Sequence, residues 1–189
     1  MIKLTSAALA ACLAMPVFAA PLTLTPADPQ PNADDLSPGL AVSYAYPKEV
    51  RTLEQADAAL QSAKPGPALV GLSYLDGDDG DLTLTSTSHK KVAAEITGYL
   101  RFDAAGTFEI DFFSNDGIRV ELGGQQVALY DEVHACESAG LQEVEVPVAG
   151  WYAIKATYFQ RKGTACLMMD WNADGSLGPV PDSAFAYSK

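Results

Sequence analysis

Oxygen-bearing side chains dominate the residues that could do chemistry in this chain. Asp76-Gly77-Asp78-Asp79-Gly80-Asp81 sets four carboxylates within six positions, and their mutual repulsion is of the kind a cation relieves. The run departs from the calcium loop of an EF-hand, because Gly80 stands where that loop needs an oxygen ligand and no Glu stands at its twelfth position, seven residues later. It reads as a solvated turn between strands, with an irregular calcium site as the alternative. Asn115-Asp116-Gly117 reads first as a tight turn, since Asn and Asp tolerate left-handed backbone angles and cap turns with their own side chains. His134-Ala135-Cys136 offers two zinc ligands, but only His89 remains elsewhere to join them. Neither His lies in a nucleophile motif and no Gly-x-Ser-x-Gly elbow occurs, so no enzyme is expected. Paired-carboxylate glycosidase chemistry is a third reading that only the fold can assemble, through two carboxylates about 5 to 10 Å apart.

The 189 residues carry 12 Lys+Arg against 24 Asp+Glu, a formal net charge of −12. That balance excludes a nucleic-acid backbone binder, which needs a basic face to displace counterions. The small clusters His89-Lys90-Lys91 and Arg161-Lys162 are too slight for such a footprint. A chain 48% hydrophobic and 19% charged buries a core rather than remaining disordered. One domain fits the length, and the abundance of Tyr, Phe, Val and Thr leans towards β structure.

Residues 1–19 read as a signal peptide, with Lys3 as the positive start, Leu4 to Met15 as the apolar stretch, and cleavage between Ala19 and Ala20. The alternative is a lipobox ending at Cys12, which would make that cysteine an acylated N-terminus. No later stretch has the roughly 20 apolar residues of a membrane span. The mature chain is therefore expected to be secreted or periplasmic. Cys136 and Cys166 remain as an even pair in an oxidising compartment, where a disulfide is expected and two buried thiols are the alternative.

The elements that must position these groups follow from hydrophobic spacing. Residues 20–38 hold Pro21, Pro26, Pro29, Pro31 and Pro38 and read as an extended, poorly packed lead-in. The folded domain is expected over 39–187. Leu40, Val42, Tyr44 and Tyr46 alternate as a strand. Thr52 and Gln55 form a capping box that opens a helix to about Ala63. From Val92 onward the period is two. Residues 92–102 and 108–112 are expected to pair as a hairpin turned at Asp103 to Gly106, and Gly123-Gly124 to turn a second one. Strands around Val144, Tyr152 to Tyr158, and Leu167 to Trp171 complete an all-β, antiparallel sandwich with one short helix near its N-terminus. By parity Phe108, Phe112 and Trp171 face the core. Tyr99, Phe113, Trp151 and Phe159 face away from it, where a planar ring suits a sugar unless the helix or lead-in covers it.

The order of Gly98-Tyr99-Leu100-Arg101-Phe102, Ala105-Gly106-Thr107-Phe108, Ser114-Asn115-Asp116-Gly117, Val148-Ala149-Gly150-Trp151-Tyr152 and Leu167-Met168-Met169-Asp170-Trp171 resembles the PA-fourteen (PA14) domain, over about Gly39 to Tyr187. The resemblance implies a lectin-like β-sandwich and a non-catalytic extracellular module, most often one that binds carbohydrate. In the adhesin branch two aspartates joined by a cis peptide hold calcium, and a second loop adds an asparagine and backbone oxygens. The matching dipeptide here is Asn115-Asp116, and the second loop falls at Gln160, Arg161 and Lys162. An amide replaces one carboxylate, and the expected asparagine is absent with two cations in its place, so no cofactor is expected and calcium on Asn115 and Asp116 is the alternative. A salt bridge from Arg161 or Lys162 to Asp116 would take the ion's place. The implied partner is a glycan, or an extracellular protein surface if the domain is a structural component of the envelope or of an extracellular complex.

Overall fold

The computed structural model describes residues 20–189, so the expected signal peptide and Cys12 lie outside the described residues. In chain order the elements begin with β1 (Leu22–Thr23), β2 (Leu36–Pro38), β3 (Ala41–Ala45), α1 (Leu53–Leu60), β4 (Lys64–Pro65) and β5 (Ser73–Tyr74). There follow β6 (Val92–Phe102), β7 (Gly106–Asn115), β8 (Ile118–Leu122), β9 (Gln125–Tyr130) and β10 (Glu137–Ser138). The chain closes with β11 (Gln142–Val146), β12 (Gly150–Gln160), β13 (Cys166–Trp171), β14 (Gly178–Pro179) and β15 (Phe185–Ser188). Two sheets face each other. One runs β1-β11-β7-β13-β14 with β10 and β5 at its margins, the other β2-β15-β6-β12-β8-β9 with β3 against β6 and β4 against β3.

Alternation specifies each strand's inward face, and those faces meet in one core. Val92, Ala94, Ile96, Leu100 and Phe102 of β6 bury with Tyr152, Ile154, Ala156 and Tyr158 of β12 and with Ile110, Phe112, Leu167 and Met169 of the opposite sheet. The Phe102 ring lies 5.0 Å from that of Phe108 and 5.6 Å from that of Trp171, so the inward parity of both holds.

That contact also corrects the expected first hairpin. β6 pairs with β12, β3 and β15, whereas β7 pairs with β11, β13 and β10, so Asp103 to Gly106 carries the chain from one sheet to the other. Alternation fixes which face is dry and is silent on which neighbour receives the hydrogen bonds. The Gly123-Gly124 hairpin is present, with φ of 53° and 76° at its two glycines. A bulge in the β8-β9 pairing beside Val120/Glu121 then shifts the register, so Val127 and Ala128 are buried while Leu129 is 50% exposed.

The Pro-rich segment is extended and mostly exposed, but it is tied down at both ends. β1 pairs in parallel with Val144 and Glu145 of β11, Leu24 is buried in the core, and β2 pairs with β15. Proline excludes regular interior strands but leaves two- and three-residue edge strands open. Helix α1 ends at Leu60, three residues short of the expected limit, because Lys64 and Pro65 turn back to pair with Tyr44 and Ser43. The Thr52 hydroxyl caps the Gln55 N–H, and the Gln55 side chain accepts from Arg51 rather than from Thr52. No helix among the described residues is long and apolar enough to cross a membrane.

Candidate functional site

Three loops meet at the end of the sandwich where β7 turns into β8. Phe159 N–H donates to Gly117 O and Asp116 N–H to Phe159 O, which clamps the turn against the end of β12. Cys166 lies directly opposite Asn115 in the β13-β7 register, and its disulfide to Cys136 draws the third loop, residues 131–138, over the same end. The Asn115–Asp116 peptide is cis. Gly117 has no room for a side chain, since a Cβ there would stand 2.2 Å from the Phe159 ring.

Asp116 is the centre of this junction and is 2% exposed. One carboxylate oxygen accepts His134 N–H at 3.0 Å, the other Arg161 N–H at 2.6 Å. Burial pushes its carboxyl above the ordinary 3.8, against the pull of these two peptide donors and of the nearby His134 and Arg161 charges. The expected salt bridge is not formed. Arg161 reaches Asp116 through its backbone, while its guanidinium turns to Glu49, with Nε 3.9 Å from the carboxylate. Lys162 is exposed and forms no ion pair among the described residues.

Two further oxygens are buried here without a donor, Asn115 Oδ1 and Gln160 Oε1. The orientation of the Gln160 amide is set by its nitrogen, which donates to Gly163 O at 3.2 Å and to Thr164 O at 3.0 Å. Asn115 is held from behind, its carbonyl accepting the Tyr158 hydroxyl, and Ser114 Oγ donates to Asp116 O at 2.7 Å. Each Asp116 oxygen keeps a free lone pair after one peptide bond. Asn115, Asp116 and Gln160 thus offer four hard side-chain oxygens with one formal charge, and no cationic side chain is in ion-pair contact with Asp116. These residues fit calcium only in part: orphaned buried acceptors carry a desolvation cost that a cation offsets, but four oxygens are fewer than the six to eight that calcium takes, and the His134 ring nitrogens and Arg161 Nε are buried at the same end without hydrogen-bond partners.

Of the residues picked from sequence, Asn115, Asp116, Gln160 and Arg161 come together, and Lys162 lies on the rim. By residue type alone His134 is only a zinc ligand. Its backbone N–H belongs to this site, and its ring lies 3.8 Å from that of Tyr130. The signal that could have found it is the Cys136 to Cys166 pairing, which ties its loop to the strand facing Asn115. The Asp76 to Asp81 run is a turn in which Asp81 accepts the Asp78 N–H. No group of three or more His, Cys, Asp or Glu placed to hold a metal occurs among the described residues. Phe159 is no sugar platform: it is fully buried with Val50, Leu53 and Ala56 beneath α1.

A β-sandwich of this topology has recognisable relatives. The PA14 domain family matches residues 75–184, more than half of the chain, and the chain belongs to that family. Among solved structures, the PA14 domain of the MpAFP antifreeze protein is similar at a TM-score of 0.67 and 16% identity, covering 85% of this chain and 96% of that one. A PA14 sugar-binding domain from an RTX adhesin gives 0.60 at 19% identity over 80% and 99% of the two chains. The A domain of epithelial adhesin 9 from Candida glabrata, in complex with Galβ1-3GlcNAc, gives 0.65 at 11% identity over 90% and 97%. These likenesses establish the fold. No curated protein matches the chain.

Proposed function

We propose that this chain is an exported, non-catalytic module that binds glycan at the loop end built from Asn115, Asp116, Gln160, Arg161 and Lys162. The observation that carries the reading is the convergence of three loops on the buried Asp116 carboxylate beside two donor-free oxygens, Asn115 Oδ1 and Gln160 Oε1. Asn115, Asp116 and Gln160 are the residues that would hold calcium, and a bound ion of this type supplies open positions for sugar hydroxyls. The peptide N–H groups of His134 and Arg161 keep the carboxylate oriented, and exposed Lys162 stands where a ligand would approach. Support comes also from the family, two of whose similar structures are a sugar-binding adhesin domain and an adhesin domain in complex with Galβ1-3GlcNAc. The internal disulfide suits an oxidising, extracellular setting.

The test is a glycan array probed with the mature chain in millimolar calcium, in EDTA, and as Asp116→Asn. Retention of a defined glycan class in calcium, lost in both other arms, supports the reading. Absence of retention, or retention indifferent to Asp116→Asn, overturns it.

A further inference from the structure

A second feature lies on another face, remote from Asp116 in its lining. β6 changes neighbour along one edge: β3 pairs with it from Ala93 to Thr97, and β15 takes over at Tyr99 and Leu100. Gly98 sits at the handover, where a Cβ would stand 2.5 Å from Ala186 O and 2.7 Å from Leu40. The handover leaves a notch in the outer surface of the eight-stranded sheet, a cavity of about 350 Å³ lined by Tyr99 and Tyr187 over a floor including Ala41 and Ala153. It shares Ala41, Thr97 and Tyr187 with a cavity of about 290 Å³, which in turn shares Pro65 and Gly66 with one of about 480 Å³ that reaches Tyr46.

The first two of these cavities form one cleft across β4, β3, β6 and β12, about 14 Å at ordinary strand spacing and long enough for roughly three pyranose rings, whereas the third opens on the side of β3 where Tyr46 stacks on the buried Tyr44. Its chemistry alternates rings and hydroxyls. Tyr187 and Tyr99 line it, with Ser43, Thr97 and Ser188 beside them. Charge is almost absent from the cleft. Glu95 is neutralised by Lys155 at 2.8 Å, on a chain whose net charge is −12. A neutral, hydroxyl-rich ligand with flat apolar faces matches that lining, and a linear one matches its length.

We infer that this cleft is a second carbohydrate site, taking a linear, uncharged hexose oligosaccharide across the sheet face without metal. It stands independently of the loop-end site. Trp151 supplies the readout, because its ring meets that of Tyr99 edge-on at 6.5 Å, while the other tryptophan, Trp171, packs against the core.

The experiment titrates the mature chain, in EDTA, with cellohexaose, laminarihexaose, mannohexaose and maltohexaose while tryptophan emission is followed. At least one should bind with a Kd of about 1 mM or tighter and change the emission. Tyr99→Ala and Tyr187→Ala should each weaken that binding about fivefold or more. Because a tyrosine variant can lose structure, Ala153→Arg, at an exposed floor position, provides a second arm and should abolish binding while leaving the melting temperature unchanged. No binding by any of the four sugars at 10 mM overturns the inference, as does binding that survives Ala153→Arg. Binding that requires calcium or is lost in Asp116→Asn also overturns it and credits the loop end instead, whereas failure of the loop end on the array leaves these EDTA titrations unaffected.

Discussion

Asp116 and Arg161 touch through a carboxylate oxygen and a peptide N–H 2.6 Å apart, with the guanidinium turned elsewhere. The carboxylate therefore serves as an acceptor for the backbone of two other loops, and its charge is not cancelled by the cation that follows Gln160. Replacing it tests both its structural and its titrating role.

Burial sets the sign of the pH effect. A carboxyl whose folded pKa lies above its unfolded value favours the folded state while protonated, so this contribution is full below the ordinary 3.8 and declines as pH rises through the folded pKa. In calcium-free buffer, urea unfolding of wild type and Asp116→Asn from about pH 3.5 to pH 7 should show wild type losing stability relative to the variant on the way up. A difference independent of pH would contradict the burial of this group.

Tyrosine ionisation reports on the core from the alkaline side. Burial pushes the Tyr44 hydroxyl up to about 12, and raises that of Tyr158 well above the ordinary 10, with Asp116 adding to the effect. Neutral phenol is the form the fold favours, so this stability is present below 10 and lost as pH rises through the folded values. Absorbance at 295 nm should distinguish wild type from Tyr44→Phe only above about pH 11. A difference appearing at pH 10 would place that hydroxyl in water.

The Cys136 to Cys166 bond closes a loop with a sequence separation of 30, which the chain-entropy account values at roughly 3 to 4 kcal/mol. Reduction, or the double change to Ser, should lower the melting temperature by about 10 °C in a scanning calorimeter. It should also weaken any calcium-dependent stabilisation, because the loop that presents the His134 N–H is no longer tied to β13. An unchanged melting temperature would mean that the native contacts of this loop suffice without the bond.

Gly117→Ala places a methyl group 2.2 Å from the Phe159 ring, which α1 covers from the other side. Overpacking of this kind costs about 1 to 3 kcal/mol, and chemical denaturation should register it. Gly124→Ala provides the contrast, since nothing stands within 4 Å of its Cβ and its cost comes from a φ of 76° alone.

Much of the layer architecture was legible because each long strand carries its own alternation: β6, β7, β12 and β13 all bury the residues their parity names. Partnership was not legible. Phe102 and Phe108 announce two inward faces, and only the three-dimensional arrangement shows that they meet across the core instead of along a ladder. The loop end was half legible: Asn115-Asp116 and Gln160-Arg161 are visible as turn chemistry, whereas His134 enters through its peptide group, which leaves no trace in residue type. The tyrosine cleft was nearly invisible, since Tyr99 and Tyr187 come from distant stretches. Its notch depends on where one strand hands over to another at Gly98.

The N-terminal strap has a mechanical meaning. Within seventeen residues the same stretch is hydrogen-bonded into both layers, through Leu22 and Thr23 on one side and Leu36 to Pro38 on the other. A pull from the N-terminal side would load the parallel β1-β11 rungs in shear before it reached the larger ladders, so this segment acts as a lashing that takes strain while the sandwich behind it keeps its shape.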